Sequence, residues 1–315
     1  MLKAFDPPFC PLCGGTEASL LFATKEGDES EMAHQPFVHC TKCGLIYVHP
    51  QPVWAVRQHH YTTDYRGYHR LETEISVWTR RSMYYGLYRR YRLVKKYQST
   101  GRLLDIGCSG GDFANWVAQQ PGWQVLGLER VPIMAKIAHL QYKFPALVGD
   151  AMQLGLAPNV LDTVTMWTVL EHMANPVQGV RECSRVLRTG GVLIIQTVSA
   201  ESLASRLFGR YWLGYDTPRI LYVFSPSTLK RLLEENGFEL LWMGCYFHDY
   251  YPLLWSWRNF CDQQTLTRSK LVIVYEWIDR IARTKPVRLV SYPFLKLLTL
   301  LGKSSFLVVI ARKVG

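Results

Sequence analysis

Short apolar runs alternate with longer amphipathic stretches through the middle of the chain, and several of the runs end on an acidic residue or a glycine. This alternation is typical of parallel β-strands connected by helices. The predicted strands begin at Leu103, Val125, Ala146 and Val192, and one more ends near Trp167. The pattern therefore predicts an α/β fold.

The first predicted strand leads into a glycine turn that carries an acidic residue. Gly107 and Gly111 lack a Cβ atom and let the backbone approach a ligand, while Asp105 binds its cationic or hydroxyl groups. Glu129 lies 24 residues after Asp105, at the end of the second strand, where a carboxylate receives both hydroxyls of a ribose. The glycines lack the G-x-G-x-x-G spacing of dinucleotide-binding proteins, so NAD binding is the weaker alternative.

This series of motifs closely resembles the class I S-adenosylmethionine-dependent methyltransferases, over roughly Leu103 to Gly237. The resemblance implies a Rossmann-like fold with a seven-stranded sheet, whose last two strands would cover Glu239 to Tyr246 and Phe306 to Arg312. It also implies a defined set of cofactor residues. These are Asp105, Gly107 and Gly111 for the methionine part, Glu129 for the ribose, Asp150 and Met152 for the adenine, and Ala151 and Trp167 in the same site. Ser109 stands where glycine is frequent in the family, and its small side chain is expected to fit.

Four of the eight cysteines form two short pairs, Cys10-x-x-Cys13 and Cys40-x-x-Cys43, and each pair is followed by a glycine. Each pair places two thiolates on one side of a tight turn, where backbone N–H groups point at the sulfur atoms. Two such turns close a tetrahedral zinc site without an open position, so a structural zinc is expected. Paired disulfides in a secreted protein are the alternative.

The residues around the expected methyl acceptor come from three parts of the chain. The layout is similar to zinc-containing bacterial methyltransferases that act on sugars, and this resemblance implies that Tyr61 and Tyr65 cover the acceptor. Glu171 and His172 follow the fourth strand, where they can orient an acceptor hydroxyl and His172 can remove its proton. Capping of the following helix is the alternative role for this pair. Tyr222 is expected to position the hydroxyl.

Two positions depart from related enzymes. Quinone-biosynthesis O-methyltransferases have a metal-holding glutamate three positions before Glu171, and Thr168 stands there in this chain. Deoxysugar C-methyltransferases commonly have a histidine at the position of Ile220, which cannot remove a proton. These departures argue against metal-assisted transfer and favour methylation of oxygen over carbon.

The net charge is +11, and the basic residues are concentrated in two regions. Between Trp255 and Lys303, nine lysines or arginines accompany three acidic residues, together with tryptophans and apolar runs. This composition suits helices at an anionic membrane surface, and a buried helical cap is the alternative. No signal peptide is visible at the N-terminus, so we expect a cytoplasmic protein, peripheral on the inner face of the cytoplasmic membrane.

We therefore expect methyl transfer from S-adenosylmethionine to a hydroxyl of a sugar or a lipid-linked glycan precursor. An RNA base methyltransferase is the first alternative because the chain is basic, although no Asn-Pro-Pro-Tyr-like motif follows the fourth strand. A non-catalytic scaffold is the second, and the intact acidic cofactor residues argue against it. The predicted segments are a zinc-binding knuckle (1–52), a basic aromatic linker helix or lid (53–100), the methyltransferase core (101–246), a helical insertion (247–303) and the last core strand (304–315).

Overall fold

The computed structural model describes residues 9–22, 36–61, 77–247, 250–262, 278, 280–281 and 284–315. The predicted acceptor residue Tyr65 lies outside the described residues. The chain divides into two compact units, each built from three separate segments. The first unit contains residues 1–52, 197–229 and 243–308, and the second contains residues 53–196, 230–242 and 309–315.

The strands of the described residues form two sheets. They are β1 (Ala18–Phe22), β2 (Phe37–Cys40), β3 (Ile46–Val48), β4 (Gly101–Ile106), β5 (Trp123–Glu129), β6 (Ala146–Val148), β7 (Leu161–Trp167), β8 (Leu187–Val198), β9 (Tyr222–Val223), β10 (Phe238–Gly244) and β11 (Phe306–Lys313). The larger sheet has the order β10-β11-β8-β7-β4-β5-β6, and the smaller one has the order β1-β2-β3-β9. The predicted seven-stranded, Rossmann-like sheet is confirmed.

The centre of the larger sheet is parallel, because β4 pairs in parallel with both β5 and β7, and β6 and β8 extend it on the two sides. Apolar residues of the central strands β4 and β7 are buried, as expected for strands covered on both faces, and Leu103, Leu104, Val164 and Met166 are examples. The carboxyl ends of these strands lie at one edge of the sheet. The strand order reverses at β4, which places a ligand crevice at this edge.

Helices connect the strands. Those described are α1 (Trp54–Arg57), α2 (Val77–Tyr97), α3 (Asp112–Ala118), α4 (Pro132–Tyr142), α5 (Pro176–Val186), α6 (Leu203–Phe208), α7 (Pro226–Glu234), α8 (Tyr250–Asp262) and α9 (Lys285–Leu300). The beginning of α5 is specified locally. The Asn175 side chain accepts a hydrogen bond of 3.1 Å from the backbone N–H of Gln178, and Pro176 occupies the first turn.

Strand β8 differs most from its predicted extent. The sequence predicts a turn at Gly190 and Gly191 before a strand that begins at Val192, whereas β8 already begins at Leu187. Gly190 has a φ of +79°, and the pairing of β7 with β8 changes register in this region. The glycine turn is therefore contained within an irregular strand, because the backbone on both sides of it still pairs with β7.

The first unit contains the smaller sheet, in which β2 and β3 are neighbours and β9 pairs with β3 in antiparallel fashion. The Tyr215 ring contacts the rings of Phe22 and Phe37, with centroids 4.8 Å and 4.9 Å apart. These aromatic contacts join the sheet to the segment that precedes β9. Residues separated by much of the chain therefore share one small core.

The predicted insertion contributes α8 and α9 to the first unit. The Ser256 hydroxyl of α8 accepts a hydrogen bond of 3.1 Å from the backbone N–H of Leu213, and the Phe260 ring contacts the Tyr211 ring. One side of α8 is thus packed inside the unit. No helix among the described residues is long and apolar enough to span a bilayer.

Candidate active site

The four paired cysteines lie together in the first unit. Their sulfur atoms all lie within 4.8 Å of one another, and the separation is 3.6 Å for Cys10 and Cys43 and 3.5 Å for Cys13 and Cys40. Tetrahedral zinc with Zn–S bonds of about 2.3 Å places its sulfurs about 3.8 Å apart. The predicted cysteine cluster is confirmed, and its spacing and thiol donors fit a tetrahedral metal.

The two turns of the cluster have the same backbone geometry. The N–H of Gly14 donates to the carbonyl of Cys10, and the N–H of Gly44 donates to the carbonyl of Cys40, each at 2.9 Å. Burial raises the pKa of Cys10 to about 11. Burial also opposes ionisation of Cys40, but hydrogen bonds from backbone N–H groups outweigh it and lower the pKa of Cys40 to about 7.

In the second unit, a cavity with an empty volume of about 820 Å³ opens at the carboxyl ends of the parallel strands. The predicted cofactor residues in its wall are Gly107, Glu129, Asp150, Ala151 and Trp167. His172 also lines the cavity. The other three predicted cofactor residues, Asp105, Gly111 and Met152, do not belong to the described wall.

Glu129 connects the glycine turn to the segment after β5. One carboxylate oxygen accepts a hydrogen bond of 2.9 Å from the backbone N–H of Ser109, and the other accepts one of 3.0 Å from the N–H of Val131. Burial raises the pKa of Glu129, and these N–H groups act in the opposite direction. Because each carboxylate oxygen can accept two hydrogen bonds, Glu129 can still receive the two hydroxyls of a ribose.

Asp105 is 2% exposed, at the end of β4. Burial raises its pKa to about 7, although a hydrogen bond of 2.7 Å from the Thr165 hydroxyl and the positive charge of Arg90 favour the ionised form. The guanidinium of Arg90 also lies 5.0 Å from the centre of the Trp167 ring. The Asp105 carboxyl is therefore buried, with a raised pKa, and it is not part of the described cavity wall.

The two predicted glycines are required for different reasons. A Cβ atom on Gly107 would lie 2.4 Å from Cγ2 of Val169, and one on Gly111 would lie 2.6 Å from the Phe144 ring. Both glycines have positive φ, +71° and +88°. Gly107 lets the turn form the cavity wall, whereas Gly111 lets the start of α3 pack against Phe144.

Part of the cavity wall next to Glu129 is formed by Arg130 and Trp54, which the sequence motifs do not predict. The guanidinium of Arg130 lies 3.9 Å from the centre of the Trp54 ring and 3.2 Å from the carboxylate of Asp150. Asp150 also accepts a hydrogen bond of 3.0 Å from the backbone N–H of Met152. The adjacency of Arg130 to Glu129 is the signal that could have identified it, whereas Trp54 lies in no recognisable motif.

His172 is held by two residues of the linker segment. The Tyr61 hydroxyl lies 3.4 Å from Nδ1 of His172, and the guanidinium of Arg57 donates a hydrogen bond of 2.8 Å to the His172 carbonyl. Tyr61 and His172 both line the cavity, while Arg57 is buried. Glu171 is also buried and is not part of the described cavity wall, so its predicted contact with an acceptor stays a prediction.

Tyr222 belongs to the other unit, in β9. Its backbone pairs with Tyr47 of β3, and its hydroxyl accepts a hydrogen bond of 2.5 Å from the side-chain amide of Gln51. Tyr222 is buried in this arrangement. The expected role of Tyr222 at an acceptor hydroxyl also stays a prediction.

Comparison with solved structures agrees with the fold. A Bacillus halodurans protein assigned as a methyltransferase aligns over 73% of this chain and 99% of its own, with a TM-score of 0.51 and 23% identity. At this identity the similarity shows the fold alone. It agrees with the Rossmann-like fold of the larger sheet.

Curated relatives are similar over the same region. The ubiquinone biosynthesis O-methyltransferase of Cereibacter sphaeroides is 30% identical over 168 residues, which cover 50% of this chain and 66% of the relative. The namesake protein of Xanthomonas euvesicatoria is 30% identical over 174 residues, with 50% and 68% coverage. A Mycolicibacterium smegmatis protein assigned as an S-adenosylmethionine-dependent methyltransferase is 30% identical over 163 residues, with 49% and 59% coverage.

The family model described as a methyltransferase domain matches residues 79–242, about half of the chain. The matched region contains the glycine turn, the two carboxylates of the cavity wall and His172. The predicted resemblance is therefore confirmed at the level of the family. This chain belongs to the methyltransferase domain family.

Proposed function

We propose that the chain transfers a methyl group from S-adenosylmethionine to a hydroxyl group of a small acceptor. Support for this cofactor comes from the cavity wall, where Glu129 ends β5, Asp150 follows the neighbouring strand β6, and Gly107 forms part of the tight turn. The buried Ser109 hydroxyl, which has no hydrogen-bond partner among the described residues, is a further polar group on this wall. When bound, the cofactor supplies a methyl group on a positively charged sulfur.

The observation that carries the proposal is the position of His172 in the wall of the same cavity as Glu129. To act as a base, neutral His172 carries its proton on Nδ1, and this N–H donates a hydrogen bond to the Tyr61 oxygen. The unprotonated Nε2 can then accept the proton of the acceptor hydroxyl. The hydrogen bond from Arg57 holds the backbone of His172 in place. The protein thus contributes proximity, one base and a partly enclosed site.

We further propose that the acceptor hydroxyl belongs to a sugar or to a lipid-linked glycan precursor. The rings of Trp54, Tyr61 and Trp167 in the cavity wall offer apolar surfaces on which a sugar ring can pack. Backbone and carboxylate groups beside them can accept hydrogen bonds from sugar hydroxyls. This assignment rests on the expectation that the chain layout resembles sugar-methylating enzymes, and the curated relatives described above do not carry that name.

A second acceptor is favoured by the names of the curated relatives, which act in ubiquinone biosynthesis as O-methyltransferases. The ring of a prenylated phenol could also pack against the aromatic residues of the cavity wall. Thr168 occupies the position at which quinone-biosynthesis enzymes resembling this chain hold a metal-binding glutamate. Within the described residues, a cluster of three or more metal-binding side chains occurs at the four cysteines alone.

We also propose that these cysteines hold a structural zinc ion. Four thiolates satisfy tetrahedral zinc completely, so the metal would stabilise the two turns and would leave no position for a substrate. Binding requires that the thiols lose their protons, which zinc promotes. The role of the ion is therefore assigned to folding of the N-terminal segment.

The test measures methyl transfer from radiolabelled S-adenosylmethionine to nucleotide sugars, lipid-linked glycan precursors, prenylated phenols and RNA. His172→Ala should lower turnover about 10²- to 10⁴-fold with little change in cofactor affinity. His139→Ala is the matched control, because the His139 ring contacts the carbonyl of Phe144 and is not part of the described cavity wall.

Each result of this test decides one part of the proposal. Wild-type turnover in His172→Ala would contradict its role as the base. Labelling of the prenylated phenol alone, or of RNA alone, would contradict the sugar assignment and leave methyl transfer intact. Absence of S-adenosylmethionine binding would overturn the proposed activity and favour a scaffold.

A further inference from the structure

Helix α9 has one buried side and one broad exposed side. Leu295 and Leu298 point into the first unit, where each is nearly fully buried. Six large apolar side chains elsewhere on the helix and at its end are between 51% and 79% exposed. They are Leu289, Val290, Phe294, Leu297, Leu300 and Leu301, and we call them the outer face of α9. A helix that only capped the core would expose polar residues here.

The described charged side chains on and beside the outer face are mostly basic. Helix α9 contains no aspartate or glutamate, and at its end Lys303 lies 3.8 Å from the carboxylate of Glu201. Lys296 is exposed on α9 itself, between apolar residues of the outer face. An exposed apolar surface bordered by cations is the chemistry that binds the headgroup region of anionic lipids.

The apolar surface continues onto α6 of the same unit. The backbone N–H of Leu203 donates a hydrogen bond of 2.9 Å to the carbonyl of Lys303, which places the start of α6 beside the end of α9. Leu203 and Leu207 are exposed and lie four residues apart, on one side of α6. Arg206 is exposed between them in the sequence. Two elements, separated by about 80 residues in the chain, thus present the same chemistry.

We propose that the outer face of α9, with Leu203 and Leu207, is a docking surface for an anionic lipid bilayer. The helix lies along the membrane surface, its apolar residues enter the boundary between headgroups and acyl chains, and Lys296 contacts lipid phosphates. A symmetric contact with a second copy would bring identical basic borders together, which disfavours a dimer as the occupant. The docking surface does not depend on the identity of the methyl acceptor.

The experiment is co-sedimentation of the full chain with vesicles of phosphatidylglycerol mixed with phosphatidylcholine, and with vesicles of phosphatidylcholine alone. The wild-type chain should sediment with the anionic vesicles, and high salt should release it in part, because salt screens the charges and not the apolar contacts. Leu297→Glu should weaken binding about tenfold or more, because it replaces an apolar side chain that would enter the bilayer with a charge that the lipid repels. Lys296→Glu should weaken it about thirtyfold, because it reverses a charge near the lipid surface.

Leu140→Glu is the matched control, because Leu140 is a leucine on α4 in the second unit that is at least as exposed as Leu297. It should bind vesicles like the wild type, and all variants should keep wild-type affinity for S-adenosylhomocysteine. Equal losses in Leu297→Glu and Leu140→Glu would overturn the assignment of the surface. A wild-type chain that binds no vesicles but forms a dimer broken by Leu297→Glu would assign the outer face to a second copy instead.

Discussion

Replacement of Glu129 by alanine tests the cofactor site most directly. The carboxylate lines the cavity and accepts hydrogen bonds from the backbone N–H groups of Ser109 and Val131. We expect Glu129→Ala to weaken the binding of S-adenosylmethionine and of its demethylated product. Two effects contribute, since the variant loses the acceptor for the ribose and also the link between the glycine turn and the segment after β5.

The size of the effect follows from the number of hydrogen bonds. Two ribose hydroxyls that donate to one carboxylate contribute about 2–3 kcal/mol of binding free energy. At 1.4 kcal/mol for each factor of ten, the dissociation constant should rise about 30- to 150-fold. The two backbone N–H groups also lose their acceptor, so the free energy of unfolding should fall by about 1–3 kcal/mol.

Calorimetric titration with S-adenosylhomocysteine measures the affinity, and urea denaturation measures the stability. Glu182→Ala is the control, because Glu182 also accepts a backbone hydrogen bond, 2.9 Å from the N–H of Leu154, but is not in the described cavity wall. It should lose stability and keep its affinity. If Glu129→Ala behaves in the same way as this control, Glu129 serves the turn alone and the reasoning about the ribose is refuted.

Three further predictions address the glycine turn, the buried acid and the cysteines. Gly107→Ala should lower the free energy of unfolding by about 2–5 kcal/mol, through backbone strain and a clash with Val169. Gly190 also has positive φ, but an added Cβ would meet no atom within 4 Å, so Gly190→Ala should lower it by about 1–2 kcal/mol. Equal losses of the two variants in urea denaturation would contradict the clash. Because the pKa of Asp105 is raised to about 7 in the folded chain, folding takes up a proton and this acid destabilises the fold as the pH rises from its unfolded value of about 3.9 through 7. The unfolding free energy of Asp105→Asn relative to wild type should therefore increase between about pH 5 and about pH 8, and a constant difference would contradict the shifted pKa. Metal analysis under reducing conditions should find about one zinc per chain in the wild type and none in Cys40→Ser. The Cys40→Ser variant should keep its affinity for S-adenosylhomocysteine. A metal-free wild type would remove zinc from the proposal.

The features that could be predicted from the sequence are those that depend on residues close together in the chain. An apolar run followed by Asp105 and Gly107 predicts a strand and a tight turn, because the missing Cβ and the positive φ are local properties. Glu129 was predicted in the same way, from its place at a strand end. The cysteine pairs and their following glycines predict two matching turns, and the structure brings these turns together.

The sequence by itself thus determined the order of the strands of the larger sheet along the chain, the glycine turn after β4 and the cysteine cluster. Only the tertiary structure decided how distant segments complete the cavity, as when Tyr61 meets His172 across 111 residues and Arg57 meets the carbonyl of His172 across 115. It also decided which side of α9 is exposed. The apolar composition of this segment alone is compatible with a buried helical cap and with a helix at a membrane surface. The physical reason is that spacing along the chain specifies local backbone geometry, whereas contacts between distant residues depend on how the whole set of elements packs.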